Sequence, residues 1–384
     1  MRDPRFDADA LTAFAMQLLQ CSDVHDNIAR DVAEVLVDAD LMGHTTHGLQ
    51  LLASYLDELE GGRMRTGTPT ADMAAGADAV AEKCADATAA TTAPAAHEPE
   101  VVAQHRASQL WDGRRLPGPY LTRRAFDTAS AMARTQGTGT VVIRRSHHIA
   151  CLAAYLPAIT ARGQMALVYC SDPNTRSVAP FGGVTPAFSP NPFAAGIPTS
   201  GDPILLDISA SYTTNGLTAR LHQAGARLPH PWLQDEQGNA TDDPAVLFGG
   251  RGGTLLPLGG HDAGHKGYAL ALLVEALTAG LSGMGRADPK EGWGATVMVQ
   301  VIDAASFGGA AAMRRQMDFI VDECHAATPR DPATRVRLPG ERALKLMREQ
   351  RAQGVALYPT IMPALGAWAK KLGVAMPEAM ASVD

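Results

Sequence analysis

The chain has 384 residues, of which 46% are hydrophobic and 19% charged, and its formal net charge is −7. This composition is typical of a globular protein and excludes a disordered chain, while the acidic balance and the scattered arginines argue against a nucleic-acid-binding surface. No apolar run reaches the ~18 residues of a membrane helix, and the start of the chain lacks the apolar core of a secretory signal. Five cysteines without CxxC spacing argue against a disulfide framework, so we expect reduced thiols in a cytoplasmic protein.

The first sixty residues predict three helices. Asp7 can cap a helix whose apolar positions fall on one face, and Ser22 can cap a second helix. A third apolar pattern follows over residues 49–59 and stops at Gly61 and Gly62, a pair typical of a helix end. We therefore expect the chain to begin with a helical region.

Residues 71–96 differ in composition from the rest of the chain. Thirteen of these 26 residues are alanine, and the segment has few large side chains that could be buried in a core. We predict that this segment is a mobile insertion or a weakly anchored surface helix.

Beyond residue 121, helical and strand patterns alternate. Runs rich in Val, Ile and Leu, separated by Gly or Pro, predict strands at residues 140–143, 165–169, 193–198, 203–208 and 297–302. Apolar residues at helical spacing predict helices at residues 125–133, 151–161, 267–281, 313–325, 342–353 and 362–372. The predicted fold is a helical shell around a central sheet.

The glycine pattern of the common dinucleotide-binding turn is missing. That turn needs Gly-x-Gly-x-x-Gly between a strand and a helix, where backbone N–H groups meet the pyrophosphate. Gly137 and Gly139 lead into a strand and lack the third glycine, and residues 249–253 follow no strand. A Rossmann domain is therefore not predicted.

Two histidine pairs are candidates for chemistry. His44 and His47 are three residues apart, but they lack the helix and the glutamate of a zinc-protease motif, so no metal site is predicted. His147 and His148 are adjacent, and on an extended chain their side chains point to opposite sides. Only one of these two can face a given pocket, and the pattern alone does not separate a catalytic histidine from a structural one.

Two further charged residues occur in apolar surroundings. Asp207 lies in a strand pattern, and a buried carboxylate needs hydrogen-bond partners, so we expect it to be bonded to a fixed group. Lys266 precedes the apolar run at 267–281, where a cation beside the N–H groups of a helix N-terminus could form an anion site. The alternative is a lysine that is simply solvated.

Several short segments along the chain form a recognisable set: 43–49 (GHTTHGL), 145–150 (RSHHIA), 178–183 (VAPFGG), 189–192 (SPNP), 206–211 (LDISAS), 235–244 (DEQGNATDDP), 264–268 (GHKGY) and 337–342 (RLPGER). Taken together, these segments resemble the malate/L-lactate dehydrogenase family, the non-Rossmann NAD(P)-dependent type that includes ureidoglycolate and sulfolactate dehydrogenases. The resemblance covers most of the chain outside residues 66–100, and its motifs occur in the family order.

The resemblance implies an α/β fold in which a central, largely antiparallel sheet binds NAD or NADP. It divides the chain into an N-terminal helical part with the insertion (residues 1–125), the central cofactor-binding domain (126–325) and C-terminal helices that pack on the N-terminal part (326–384). It also implies a homodimer with active sites near the subunit interface.

The resemblance assigns roles to individual residues. The catalytic candidates are His148, His47 and the hydroxyl of Thr46. The residues matched to cofactor contacts are His148, Ile149, Ala150, Cys151, Leu152, Asp207, Ile208, Ser209, Lys266, Pro339, Gly340 and Glu341. The residues matched to the substrate are Leu51, Asn191 and Lys266, and no metal is expected.

Three positions depart from the family pattern. Thr46 replaces a serine and keeps its hydroxyl, whereas Leu51 stands where an arginine often clamps a carboxylate, and Pro190 replaces a threonine. The implied activity is reversible oxidation of a small 2-hydroxy acid to its 2-oxo acid by hydride transfer. The alternatives are reduction of a cyclic imino acid, such as piperideine- or pyrroline-2-carboxylate, and a non-catalytic cofactor-binding protein on the same scaffold.

Overall fold

The computed structural model describes residues 4–68 and 95–380. In these ranges the helices are α1 (Ala8–Gln20), α2 (Asp26–Leu41), α3 (Gln50–Glu60), α4 (Gly118–Gln136), α5 (Leu156–Thr160), α6 (Asn215–Gln223), α7 (Gly260–Glu275), α8 (Ala310–Ala326), α9 (Glu341–Gln353) and α10 (Ile361–Leu372). The strands are β1 (Arg5–Phe6), β2 (Glu100–Gln104), β3 (Ser108–Asp112), β4 (Thr138–Ser146), β5 (Met165–Ser171), β6 (Pro192–Ile197), β7 (Ile204–Ser209), β8 (Leu233–Gln234), β9 (Ala240–Thr241), β10 (Thr254–Leu255), β11 (Ala295–Ile302) and β12 (Val355–Ala356).

A seven-stranded sheet forms the centre of the fold, in the order β2-β3-β4-β11-β5-β6-β7. Every neighbouring pair is antiparallel except β3 and β4, which are parallel. Strand β11 lies in the middle of the sheet, where it pairs with β4 on one side and with β5 on the other. Its valines, including Val297 and Val299, are fully buried. The predicted α/β fold with a central, largely antiparallel sheet is confirmed, and the sheet is not of the Rossmann type.

Helices from both ends of the described chain pack together beside the sheet. The apolar faces of α1, α2 and α3 bury leucines such as Leu11, Leu36 and Leu52 completely. From α9, the amide of Gln350 donates hydrogen bonds to the carbonyl oxygens of Asp40 and Leu41 at the end of α2. Strand β1 pairs with β12, so the two ends also share a small sheet.

The predicted starts of the first two helices had different outcomes. Asp7 caps α1 as predicted, and its carboxylate accepts a hydrogen bond from the N–H of Ala10. The prediction for Ser22 was wrong, because its hydroxyl donates back to the carbonyl of Leu18 in α1. Helix α2 is capped instead by the ring of His25.

Helix α7 begins seven residues earlier than its apolar run predicts. Gly260 and Gly264 in its first turns weaken the helical pattern, and a Cβ at Gly260 would lie 2.8 Å from the ring of Tyr212. Lys266 is therefore an exposed residue within the helix and does not stand at its N-terminus, which overturns the predicted anion site at that helix start.

The predicted boundary at residue 125 falls inside α4, and the division into domains stays a prediction. Most of the alanine-rich segment 71–96 lies outside the described residues. Among the helices of the described ranges, we find none whose length and apolar character would let it cross a membrane.

Candidate active site

A cavity of about 570 Å³ lies where the loop after α2, the end of β4, strand β7 and the start of α6 meet. Strands β4 and β7 run in the same direction in the sheet, so the chain leaves both of them at the same edge. Ten of the predicted site residues line the cavity: Thr46, His47, Leu51, His148, Ile149, Ala150, Cys151, Leu152, Asp207 and Ser209.

Other predicted residues lie outside this cavity. Ile208 points to the opposite face of β7 from Asp207 and Ser209, because successive side chains of a strand alternate, and it is 40% exposed. Lys266 is exposed on α7 and does not line the cavity. Residues 339–341 lie beside β7 and outside the cavity lining, and the carbonyl of Pro339 accepts a hydrogen bond from the N–H of Leu205 in this strand.

Asn191 is part of a buried polar network and does not line the cavity. Its amide donates to the carboxylate of Glu275 and to the carbonyl of Ala271, while its oxygen accepts from the hydroxyl of Ser189. All of its polar atoms are therefore engaged within the protein. The substrate contact at Asn191 stays a prediction, although its neighbours Pro190 and Pro192 line the cavity.

His148 is held with one fixed pattern of ring protons. Its Nδ1 accepts a hydrogen bond from the N–H of Ala150 at 3.2 Å and lies 3.0 Å from the hydroxyl oxygen of Tyr55, which donates to the His148 carbonyl. An amide N–H can only donate, so Nδ1 must be unprotonated and the neutral ring must carry its proton on Nε2. Burial, followed by the charges of His47 and His147, lowers the pKa of His148 well below its ordinary value.

His47 has a different partner. Its Nδ1 lies 2.9 Å from the hydroxyl oxygen of Thr46, which can accept a proton as well as donate one. When this oxygen accepts from Nδ1–H, Nε2 of His47 is free to gain and lose a proton. Burial lowers the pKa of His47, and the carboxylate of Asp207 acts against that shift.

The two histidine rings both line the cavity and lie next to each other, with centres 6.0 Å apart and planes 24° from parallel. Trp293 packs against His148 with ring centres 4.8 Å apart. As expected from their adjacency, His147 points away from the cavity: it is fully buried, and its Nε2 lies 3.4 Å from a carboxylate oxygen of Glu58.

Asp207 is bonded to a fixed group, as predicted. One of its carboxylate oxygens accepts a hydrogen bond from the N–H of Ala153 at 2.9 Å, at the start of the short helix that follows the residue 149–152 stretch. This contact joins β7 to that stretch. The two segments therefore form one continuous wall of the cavity.

Arg220 is a site residue that the sequence patterns did not reveal. Among the described residues that line the cavity, it is the only arginine or lysine. Its guanidinium donates to the hydroxyl and carbonyl of Thr45, contacts Gln50 and lies 4.0 Å from the ring centre of Tyr358. Arg220, which lies on α6, thus joins this helix to the histidine loop, residues 43–47. The two segments are far apart in the sequence, so no local sequence pattern predicts this contact.

The buried carboxylate of Asp40 supports the chain directly after the histidine loop. Asp40 is fully buried and accepts the N–H of Leu49 at 2.7 Å, and its other oxygen has no hydrogen-bond partner in the described part of the chain. A Cβ at Gly48 would lie 2.4 Å from this carboxylate, so only glycine fits there. Burial raises the pKa of Asp40 to about 7.

We expect Asp40→Asn to stabilise the protein at alkaline pH. A carboxyl whose pKa is higher in the folded than in the unfolded chain lowers stability as pH rises through about 7. The variant should be more stable than the wild type at pH 8.5, by up to about 4 kcal/mol, and this gain should vanish near pH 4. Denaturant unfolding at both pH values measures it, with the exposed Asp322→Asn as control. An equal change in stability at both pH values would contradict a raised pKa at Asp40.

Comparison with known proteins decides the family. The model of the malate/L-lactate dehydrogenases matches residues 6–82 and 74–366. The chain belongs to this family. Its members are NAD(P)-dependent dehydrogenases, which confirms the predicted enzyme class, an oxidoreductase acting on CH–OH donors.

Relatives within the malate/L-lactate dehydrogenase family extend over nearly the whole chain. Malate dehydrogenase of Pyrococcus horikoshii is 27% identical over 379 residues, covering 96% of each chain. L-lactate dehydrogenase of Cupriavidus necator is 28% identical over 372 residues, covering 95% of this chain and 97% of the relative.

Solved structures agree with the fold. The P. horikoshii malate dehydrogenase superposes with a TM-score of 0.80 at 25% identity, covering 98% of this chain and 97% of that one. The delta1-piperideine-2-carboxylate reductase of Pseudomonas syringae has a TM-score of 0.77 at 24% identity, covering 95% and 99%. The second likeness concerns the fold alone.

The cavity wall fits a nicotinamide cofactor without a Rossmann turn. Residues 149–152 line the cavity together with Asp207 and Ser209, so this part of the wall brings peptide groups, a carboxylate and a hydroxyl close to one another. Such a mixture suits the amide and ribose hydroxyl groups of the cofactor.

Proposed function

We propose that this protein interconverts a small 2-hydroxy acid and its 2-oxo acid in the cavity, with NAD or NADP as the hydride carrier. The observation that carries the proposal is the pair formed by His47 and His148, whose rings lie next to each other in the cavity that the 149–152 and Asp207 wall also lines. The two rings and this polar wall line the same cavity, whose volume is about 570 Å³.

The cofactor supplies the hydride chemistry when it is bound. In the proposal, residues 148–152 and the Asp207–Ser209 face of β7 hold and orient it. Residues 339–341, which the resemblance matches to the cofactor, do not line the cavity. They support β7 through the hydrogen bond between Pro339 and Leu205. Ile208 and Lys266 have no place in this arrangement, because neither lines the cavity.

His47 is the proposed acid and base. With Nδ1–H bonded to the oxygen of Thr46, the neutral ring presents a bare Nε2 that can take the hydroxyl proton during oxidation. The protonated ring keeps the same contact to Thr46 and returns that proton during reduction. No rearrangement is needed between the two forms, because Thr46 accepts in both.

His148 is the proposed hydrogen-bond donor to the substrate oxygen. Its tautomer is fixed by Ala150, and its lowered pKa keeps the ring neutral at pH 7. It therefore offers Nε2–H in both directions of the reaction. A fixed donor of this kind stabilises the negative charge that develops on the oxygen in the transition state.

The substrate side of the cavity combines one cation with apolar surface. Arg220 supplies positive charge for the carboxylate next to the reacting carbon, while Leu51, Pro190 and Leu217 line the wall with apolar groups. A second carboxylate lying against Leu51 would lose its water without gaining a partner. We therefore propose a monocarboxylate substrate with an apolar side chain.

Leu51→Arg is expected to change this preference. A guanidinium at this position can bind a second carboxylate through charge-assisted hydrogen bonds. The ratio of kcat/KM for malate to that for a longer-chain 2-hydroxy monocarboxylate should rise about tenfold or more, which corresponds to ~1.4 kcal/mol. Competition assays with both substrates measure the ratio in wild type and variant, and Leu51→Met serves as the uncharged control. An unchanged ratio, or a wild type that prefers malate, would overturn the assignment of Leu51.

Two helices of the described chain each carry exposed apolar side chains. Leu272 and Leu273 on α7 are 49% and 48% exposed, and Phe319 and Ile320 on α8 are 59% and 46% exposed. Exposed apolar groups of this kind are typical of subunit interfaces, so we propose that a second copy of the chain covers the part of α7 that carries Leu272 and Leu273.

Light scattering coupled to size-exclusion chromatography tests the homodimer. The wild type should elute as a dimer, and Leu273→Glu should shift it to a monomer because a charge at a buried interface lacks a partner. Val101→Glu, at an equally exposed apolar position on β2, should leave the dimer intact. A monomeric wild type would contradict the proposed dimer.

The function is tested by binding and turnover. Adding NADH or NADPH to the pure protein should change the cofactor fluorescence, and 2-oxo acids should then oxidise the bound cofactor. The same screen includes a cyclic imino acid, which covers the reductase alternative. Cofactor binding without turnover of any substrate would instead support a non-catalytic protein.

A further inference from the structure

Three side chains with metal-binding atoms meet in the wall of the cavity. They are His44 in the loop after α2, Cys151 after β4, and Asp207 on β7. One nitrogen, sulfur or oxygen atom from each lies within 4.8 Å of the others. The sulfur of Cys151 is 3.7 Å from a carboxylate oxygen of Asp207.

These atoms match the preferences of zinc. Zn²⁺ binds imidazole nitrogen, thiolate sulfur and carboxylate oxygen at about 2.0–2.3 Å in tetrahedral geometry, which places ligand atoms about 3.3–3.8 Å apart. The Cys151–Asp207 distance already falls in this range, and a ring nitrogen of His44 lies within 4.8 Å of ligand atoms of both residues. Mg²⁺ and Ca²⁺ prefer oxygen ligands alone, so a thiol and an imidazole disfavour them.

We propose that His44, Cys151 and Asp207 bind one zinc-type divalent cation, with the fourth position open to the cavity. Three protein ligands and one open position are typical of zinc sites that hold a water or a small ligand. The Cys151 thiol loses its proton to solvent on binding. The thiolate and the carboxylate then balance the charge of the ion, while neutral His44 supplies the third bond.

The surroundings hold the ligands in place. Asp207 accepts a hydrogen bond from the N–H of Ala153, which fixes the carboxylate beside Cys151. Cys151 is 3% exposed and cannot turn to solvent. The backbone of His44 is tied to α2 through its N–H, which donates to the carbonyl of Ala39 at 2.8 Å. Its half-buried side chain makes no hydrogen bond within the described ranges and is free to bind.

The ion and the nicotinamide cofactor should exclude one another, an inference that rests on the proposed function. Cys151 and Asp207 belong to the wall that we propose for the cofactor. An ion bound there withdraws the carboxylate from cofactor groups and occupies part of the same space. The site would then make the enzyme sensitive to inhibition by zinc.

Cobalt replaces zinc with a visible signal and tests the site directly. Co²⁺ added to the metal-free, full-length protein should give a sulfur-to-cobalt charge-transfer band and the strong visible bands of tetrahedral geometry, at one ion per chain. Cys151→Ser should abolish the charge-transfer band, and His44→Ala, a change at a half-buried side chain, should weaken binding at least about 100-fold. Cys170→Ala removes the other thiol that lines the cavity and should leave the band intact. A wild type without the band, or a Cys151→Ser variant that keeps it, would overturn the site.

Exclusion is tested by titrating the reduced cofactor at several Zn²⁺ concentrations. The apparent Kd of the cofactor should rise with Zn²⁺ in the wild type and stay constant in His44→Ala. A Kd that is constant in both, together with a cobalt band, would overturn the exclusion. If the cofactor fails to bind even without zinc, the proposed function fails, while the cobalt spectrum still decides whether the metal site exists.

Discussion

Replacing His47 by glutamine is expected to lower kcat by about 10²–10⁴-fold, the usual contribution of a positioned acid or base. Glutamine preserves most of the side-chain length but cannot exchange a proton. Because the cofactor wall is formed by other segments, the Kd of NADH or NADPH should change only a few fold. Steady-state turnover and fluorescence titration measure the two quantities separately.

The pH profile gives His47 a signature that a structural role would lack. Its pKa lies below the ordinary value because of burial, so oxidation, which needs the neutral ring, should stay active to pH values below about 6.5. Reduction needs the protonated ring and should fall as pH rises through that same lowered pKa. Neither the oxidation rate nor the reduction rate should show this pH dependence in His47→Gln.

A matched histidine provides the control for His47. His105→Gln changes an exposed residue outside the cavity and should leave the rate and its pH profile unchanged. If His47→Gln keeps more than a tenth of the wild-type kcat with its pH dependence, then His47 is not the acid and base. His148 would then become the better candidate.

His148→Ala is expected to lower kcat by about 10²–10³-fold, as is typical when one transition-state donor is lost. This loss should be nearly independent of pH, since a ring whose Nδ1 is occupied by the Ala150 N–H stays neutral throughout the range tested. The two histidines are thus distinguished by the shape of their pH profiles and not by the size of the effect.

A conservative variant separates donation from packing at position 148. His148→Gln can place an amide N–H near the lost Nε2–H and should recover part of the rate, whereas His148→Ala cannot. Thermal unfolding of both variants shows whether the loss of packing against Trp293 affects the fold. If the pH dependence of the rate is lost in the His148 variants but retained in His47→Gln, the roles of the two histidines are the reverse of those proposed.

The sequence predicts elements well where one local signal dominates. Asp7 caps α1 because the carboxylate and its N–H partner are three residues apart, and β11 is recognised from a run of buried valines. Ser22 failed as a cap because its hydroxyl has a competing acceptor in the helix before it. The start of α7 was missed because its first turns contain Gly260, which packs against Tyr212, and Gly264, which packs against Phe181 and Pro257, where helix propensity would favour other residues.

The site was predicted only in part, for a related reason. His47 and His148 lie in recognisable segments, and their meeting in one cavity follows the family resemblance. Arg220 and Trp293 reach the cavity through contacts between distant parts of the chain, which no spacing in the sequence reveals. The His44, Cys151 and Asp207 cluster likewise joins three segments, whereas the sequence pattern at His44 predicted no metal.

The most direct test of hydride transfer in this cavity uses NADH or NADPH with deuterium at both C4 positions. Wild-type protein is mixed with this cofactor and a 2-oxo monocarboxylate carrying an apolar side chain, and the product is examined by mass spectrometry. We predict a 2-hydroxy acid that carries one deuterium on C2, formed at a rate that falls about 10²–10⁴-fold in His47→Gln. A 2-hydroxy acid without deuterium, or no product from any 2-oxo acid although the cofactor binds, would contradict the proposed function.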